Sequence, residues 1–174
     1  MRLLARAILA LGCALLPAVA VADTMLLGVR GPQATVVALR YSNTERATAV
    51  VQVTMDDIES ECDRLWKGKG SDEDPPGWEE GRIAECLEGY AEREGDLLAV
   101  AANCENGLLR ASNGAFLRAV GRGEFGLVWQ NVATGEGAGY GSASPAAVAD
   151  EQFAALCDAH VDRLKDELPE MEDG

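Results

Sequence analysis

Residues 97–120 read LLAVAANCENGLLRASNGAFLRAV, three short aliphatic runs cut twice by an Asn-Gly pair. Asn-Gly accepts the positive φ values of a tight hairpin turn, so Asn106-Gly107 and Asn113-Gly114 are strong local signals for antiparallel pairing. Strands are therefore expected at Leu97 to Cys104, Leu108 to Ala111 and Ala115 to Val120. A further strand, Phe125 to Val132, precedes a glycine-rich turn from Thr134 to Gly139. This half of the chain reads as an antiparallel meander.

Working toward the N-terminus, Thr24 to Arg30, Ala34 to Tyr41 and Ala47 to Val53 are rich in β-branched and aliphatic residues. They are separated by Gly31-Pro32 and by the polar turn Ser42 to Glu45, which makes a second meander. Between the two meanders the period changes from 2 to 3.6. Thr54 has the character of a helix N-cap, with Asp56 and Asp57 at the positive end of the helix dipole. Met55, Ile58, Cys62, Leu65 and Trp66 then recur at helical spacing as far as the glycine stop at Lys67-Gly68. Ser71 to Gly77 is a loop, and a second helix from Trp78 to about Arg93 carries Ile83, Cys86, Leu87 and Tyr90 on one face. Past the second meander, Ser144-Pro145 starts a last helix, with the serine as cap and the proline where its missing N–H is not needed. Phe153, Leu156, Cys157, Val161, Leu164 and Leu168 form its stripe, and Pro169 ends it. The expected fold is α+β: antiparallel β meanders, a helical hairpin, and a C-terminal helix packed on the sheet.

The first 22 residues have the three zones of a cleavable secretory signal: Arg2 and Arg6, the apolar run Ala7 to Leu16, and overlapping A-x-A sites after Pro17. The run falls short of the roughly 20 apolar residues that span a bilayer. A rival reading makes Cys13 a lipidated cysteine in Ala10-Leu11-Gly12-Cys13; the alanine stands where a larger aliphatic residue is wanted. The expected organisation is thus a signal at 1–22, one domain at 23–168, and a disordered acidic tail at 169–174. The mature chain would lie in the periplasm or be secreted, without an integral membrane segment.

Cleavage would leave four cysteines, Cys62, Cys86, Cys104 and Cys157, and an even number in an exported chain implies two disulfides. Four cysteines permit three pairings. Helix periodicity favours Cys62 with Cys86, since both lie on apolar stripes of consecutive helices, and elimination then pairs Cys104 with Cys157. The formal charge of −14 becomes −16 as Arg2 and Arg6 leave with the signal. Such a domain repels nucleic acid and anionic headgroups, and favours a basic protein or peptide as partner.

The stretch from Cys104 to Cys157 resembles a module of small exported bacterial proteins of unknown function. The matching elements are Cys104 opening a strand, Trp129 before the Thr134-Gly135-Glu136 turn, Ser142-Ala143-Ser144, and Gln152 to Cys157 closing on a helix. The resemblance covers about a third of the chain. It implies a disulfide-closed α+β domain and no chemistry; Asp158 stands where that module has proline.

Motifs that carry chemistry elsewhere lack their context here. Gly121-Arg122-Gly123-Glu124-Phe125-Gly126 spells G-x-G-x-x-G, but the pattern of a strand follows it where a phosphate cradle requires a helix. His160, the sole histidine, lies among Asp158, Asp162 and Asp166 on the last helix. Ser142 and Ser144 lack the G-x-S-x-G setting of a nucleophile. Asp72, Glu73 and Asp74 lack calcium-loop spacing, and Glu79, Glu80, Glu85 and Glu88 read as the wet face of one helix. No catalytic residue, metal ligand or cofactor site is therefore expected, and Tyr140, Ser142 and Ser144 form the candidate partner loop. The function expected is a non-catalytic exported binding or interaction module. The alternatives are a periplasmic inhibitor of a basic enzyme such as a lysozyme, and a small hydrolase using His160.

Overall fold

Ala47, Ala49 and Val51 alternate with half-exposed neighbours along one strand, Val100 and Ala102 do so along another, and the two strands are partners. Ala47 faces Ala102 and Ala49 faces Val100 across an antiparallel ladder. This pairing joins the two expected meanders into one sheet of seven strands in the order β1-β2-β3-β4-β5-β6-β7, every neighbouring pair antiparallel. The strands are β1 Thr24–Leu26, β2 Gln33–Arg40, β3 Ala47–Gln52, β4 Leu97–Asn103, β5 Leu108–Arg110, β6 Phe116–Gly123 and β7 Gly126–Asn131. The structure is a computed structural model and describes residues 24–28, 31–138 and 144–171. The expected signal peptide with Cys13 lies outside the described residues, as do Tyr140 and Ser142.

Two helices, α1 Met55–Trp66 and α2 Trp78–Tyr90, form an excursion between β3 and β4. Its base is closed by the backbone: Val53 N–H donates to Asp96 O at 3.0 Å and Gly95 N–H donates to Val53 O at 2.8 Å. The chain thus leaves and rejoins the sheet at adjacent points. The register steps past Val37 in β2 and past Val120 in β6, and such bulges add twist. They also account for the broken alternation of these strands in the sequence.

Helix α3, Pro145–Glu167, lies in the curl and packs on β1, β3, β4, β6 and β7. Phe153 and Leu156 are buried against Trp129, Met25, Val51, Val100 and Leu109; the Trp129 and Phe153 rings sit 5.4 Å apart at 60°. Burying a side chain the size of Phe153 stabilises by about 2–3 kcal/mol.

Three consecutive polar residues of α3 hold both free edges of the sheet. Asp150 accepts from Leu127 N–H and from Trp129 Nε1–H on β7, the latter at 2.7 Å. Glu151 accepts from Leu26 N–H of β1 at 2.9 Å. Gln152, fully buried, donates to Leu26 O and Ser112 Oγ and accepts from Ser112 N–H. Unpaired edge groups invite pairing with other chains, and here they are taken internally. Burial raises the Asp150 carboxyl above its ordinary range, against the opposing effect of its two donors and Lys165.

Cys157 has non-helical angles, φ −138° and ψ 32°, and marks a kink in α3. Asn43, from the turn between β2 and β3, takes up the groups the kink releases. Its N–H donates to Leu156 O at 2.8 Å, and its Oδ1 accepts from Ala159 N–H at 3.1 Å. Beyond α3, Pro169 O accepts from Arg122 N–H and Met171 N–H donates to Arg122 O, both at 2.9 Å. Pro169 to Met171, assigned to the acidic tail by sequence, therefore lie along β6. They cover the half of β6 that the short β5 leaves unpaired; residues 172–174 lie outside the described residues.

Candidate functional site

The excursion begins with a reciprocal cap: Asp57 N–H donates to Thr54 Oγ1 at 3.2 Å and Thr54 N–H donates to Asp57 Oδ2 at 2.9 Å. Ile58 and Cys62 bury the inner face of α1, and Thr35 Oγ1 of β2 reaches Asp57 at 3.3 Å. Glu61 is buried too, chelated by Arg64 through two contacts of 2.6 and 2.7 Å. That pairing raises the Arg64 guanidinium above its ordinary pKa, the hydrogen bonds it donates to Glu61 being the largest cause.

Helix α2 is attached differently. No residue of α2 is fully buried; Ile83, Cys86, Leu87 and Tyr90 reach the core as half-buried side chains. It packs on α1, to which Cys62–Cys86 bonds it with a Cα separation of 5.8 Å. Closing a loop of 24 residues contributes about 3 kcal/mol in the chain-entropy model. The second disulfide, Cys104–Cys157, ties the residue after β4 to the α3 kink. Cys62–Cys86 is the bond that helix periodicity favoured, and Cys104–Cys157 is the one that elimination left.

Charge is concentrated on this hairpin. Residues 54–96 hold fifteen of the acidic residues and five of the basic ones, a net of −10 against −14 for the chain. Four of those five bases are already paired locally: Arg64 with Glu61, Lys67 with Asp63, Arg82 with Glu85, and Arg93 with Asp96. Exposed Asp56, Glu59, Glu80, Glu88, Glu92 and Glu94 make no ion pair with a described residue.

Between the helices lies a cleft of about 600 Å3 lined by Leu65, Trp66, Arg82, Glu85, Cys86 and Tyr90. Trp66 ends α1 and Trp78 opens α2, and their rings meet edge to face at 6.0 Å. The Arg82 guanidinium lies over the Trp66 ring, 4.2 Å from its centroid, and Glu85 holds it at 2.6 Å. The sequence placed Trp66 on a core stripe and Glu85 on a wet face. Neither reading anticipated the stack, because its members come from different helices.

Ser144 is buried, and its hydroxyl accepts from Ala147 N–H at 3.3 Å as the cap of α3. Next to it a smaller cavity of about 350 Å3, lined by Leu27, Ala111, Ser112, Leu117, Val148 and Gln152 among others, opens at the start of α3. His160 Nε2 lies 3.1 Å from Asn43 O and its Nδ1 lies 3.3 Å from an Arg163 nitrogen. These contacts join α3 to the β2–β3 turn. In the Ser71 loop, Asp74 folds back to accept from Ser71 N–H and Oγ–H at 2.7 and 2.9 Å. Among the described residues no three His, Cys, Asp or Glu side chains converge to hold a metal ion. No described helix is long and apolar enough to cross a membrane.

The G-x-G-x-x-G letters form the β6–β7 hairpin, with Gly123 paired to Gly126. Packing constrains two of its glycines: a Cβ on Gly121 would meet the Met171 side chain and Pro169 O, and one on Gly126 would meet the Asp150 carboxylate. The chain matches no protein-family model, no curated protein and no solved structure.

Proposed function

We propose that this protein is a non-catalytic binding module that acts outside the cytoplasm, in the periplasm or secreted, and holds a basic protein or peptide on the α1–α2 hairpin. One observation carries the reading: the hairpin concentrates a net charge of −10 on an element whose second helix buries no residue completely. Helix α2 reaches the core only through the half-buried Ile83, Cys86, Leu87 and Tyr90, while Glu80, Glu85 and Glu88 stand in solvent. A dense surface of one sign raises the local concentration of oppositely charged partners and accelerates their encounter. The two disulfides and the signal-like first 22 residues support the address, since such bonds persist in oxidising compartments.

Calorimetric titration of the oxidised chain from Asp23 tests the reading, with a basic nonapeptide and with a lysozyme as probes. Binding of the peptide at about 20 mM salt that weakens at least tenfold by about 300 mM is expected from charge screening. Absence of peptide binding at the lower salt would overturn the reading. Loss of lysozyme activity on addition of the protein would place a basic enzyme among its partners.

A further inference from the structure

We infer that the Trp66 cleft is an arginine-recognition site, and that Arg82 occupies it as an internal placeholder until a partner's arginine displaces it. The inference rests on the acidic-hairpin reading above and names the side chain that reading leaves open. The cleft already shows which chemistry it accepts: an indole face and a carboxylate, Trp66 and Glu85, hold a guanidinium between them. Guanidinium is planar and weakly hydrated; it stacks on an aromatic face and pairs with a carboxylate at once, whereas ammonium is a strongly hydrated point charge. A site built this way prefers arginine over lysine.

The internal occupant is poised to leave. The Arg82 side chain is 39% exposed and that of Glu85 is 69% exposed. Among the described residues Arg82 makes one ion pair, with Glu85, and one ring contact, with Trp66, in contrast to Arg64, which chelates a buried Glu61 on the same hairpin. An incoming arginine therefore meets the ring and carboxylate at the surface, at the cost of freeing a single exposed side chain. Glu79, Glu80 and Glu88 stand on the same helix and draw the rest of a basic segment toward it.

The test compares three oxidised proteins: wild type, Arg82→Ala, and Arg93→Ala, which removes an equal charge from another local ion pair. Each is titrated with two nonapeptides of equal charge, one built from arginine and serine and one from lysine and serine, with Trp fluorescence recorded in parallel. Arg82→Ala is expected to bind the arginine peptide about fivefold more tightly than Arg93→Ala does, the size of an exposed cation–π contact, and to bind the lysine peptide equally. Arginine-peptide binding is expected to shift Trp fluorescence more in Arg82→Ala than in Arg93→Ala. Equal affinities of the two variants for the arginine peptide overturn the inference and leave the acidic-hairpin reading standing. Failure of both peptides to bind any of the three proteins overturns both.

Discussion

The Asp150 carboxylate stands where a Cβ on Gly126 would have to go. Gly126 has φ +144°, a conformation that side chains rarely adopt, so two constraints fall on one position. Gly126→Ala is expected to destabilise by about 2–4 kcal/mol, from overpacking and backbone strain together. Gly114, with φ +83° and open space around it, supplies the comparison. Gly114→Ala is expected to cost about 1 kcal/mol, and urea unfolding of both variants measures the difference.

Asp150 also gives the native state a pH dependence of its own. Burial raises its pKa, so the native protein binds this proton more tightly than the unfolded chain does. The resulting stability is present below the ordinary carboxylate range and is lost as pH rises through the raised folded value. Asp150→Asn does not titrate and isolates the effect. The stability of wild type relative to that variant is expected to fall as pH is raised from about 3 to 7. Denaturant melts at these two values decide it, and a relative stability that grows with pH would contradict the desolvation account.

Asn43 supports the Cys157 kink in two ways that mutation separates. It adopts φ +58°, which asparagine tolerates, and its Oδ1 accepts from Ala159 N–H. Asn43→Ala loses both advantages and is expected to cost about 2 kcal/mol, while Asn43→Gly keeps the backbone freedom and is expected to cost about 1 kcal/mol. Equal losses by thermal or urea melts would show that the backbone angle is irrelevant.

The two disulfides are expected to act at different scales. Replacing Cys62 and Cys86 by alanine loosens an element without a fully buried residue, so amide exchange rises in 78–90 while the strands keep their protection. Replacing Cys104 and Cys157 opens a loop of 53 residues that ends in the core and lowers global stability by about 4 kcal/mol. Hydrogen exchange with mass spectrometry separates local from global opening.

Legibility in the sequence followed the range of the interactions. The Thr54 and Ser144 caps, the Asn-Gly turns and the cysteine stripes are local, and each is present as expected. The β3–β4 ladder spans the helical excursion and has no local signal, so the two meanders did not announce that they form one sheet. The kink at Cys157 involves neither proline nor glycine; the groups that satisfy it and the cysteine bonded to it, Asn43 and Cys104, come from distant segments. Asp150, Glu151 and Gln152 read as an ordinary polar step in a helix, because only the curl of the sheet brings both edges to them. The Arg82–Trp66 stack was hidden for the same reason, as its partners meet only when the hairpin closes. Much of the fold is thus written in caps and turns, and the candidate site in contacts between elements.

The central claim is that binding resides in the hairpin and not in the protein's charge as a whole. Two variants of equal net charge test it: Glu80, Glu88, Glu92 and Glu94 changed to Gln on or beside α2, or Glu45, Glu105, Glu124 and Glu136 changed to Gln in exposed turns of the sheet. Affinity for a basic nonapeptide at about 20 mM salt is expected to fall at least tenfold in the first and less than about twofold in the second. Equal losses in the two would contradict the account.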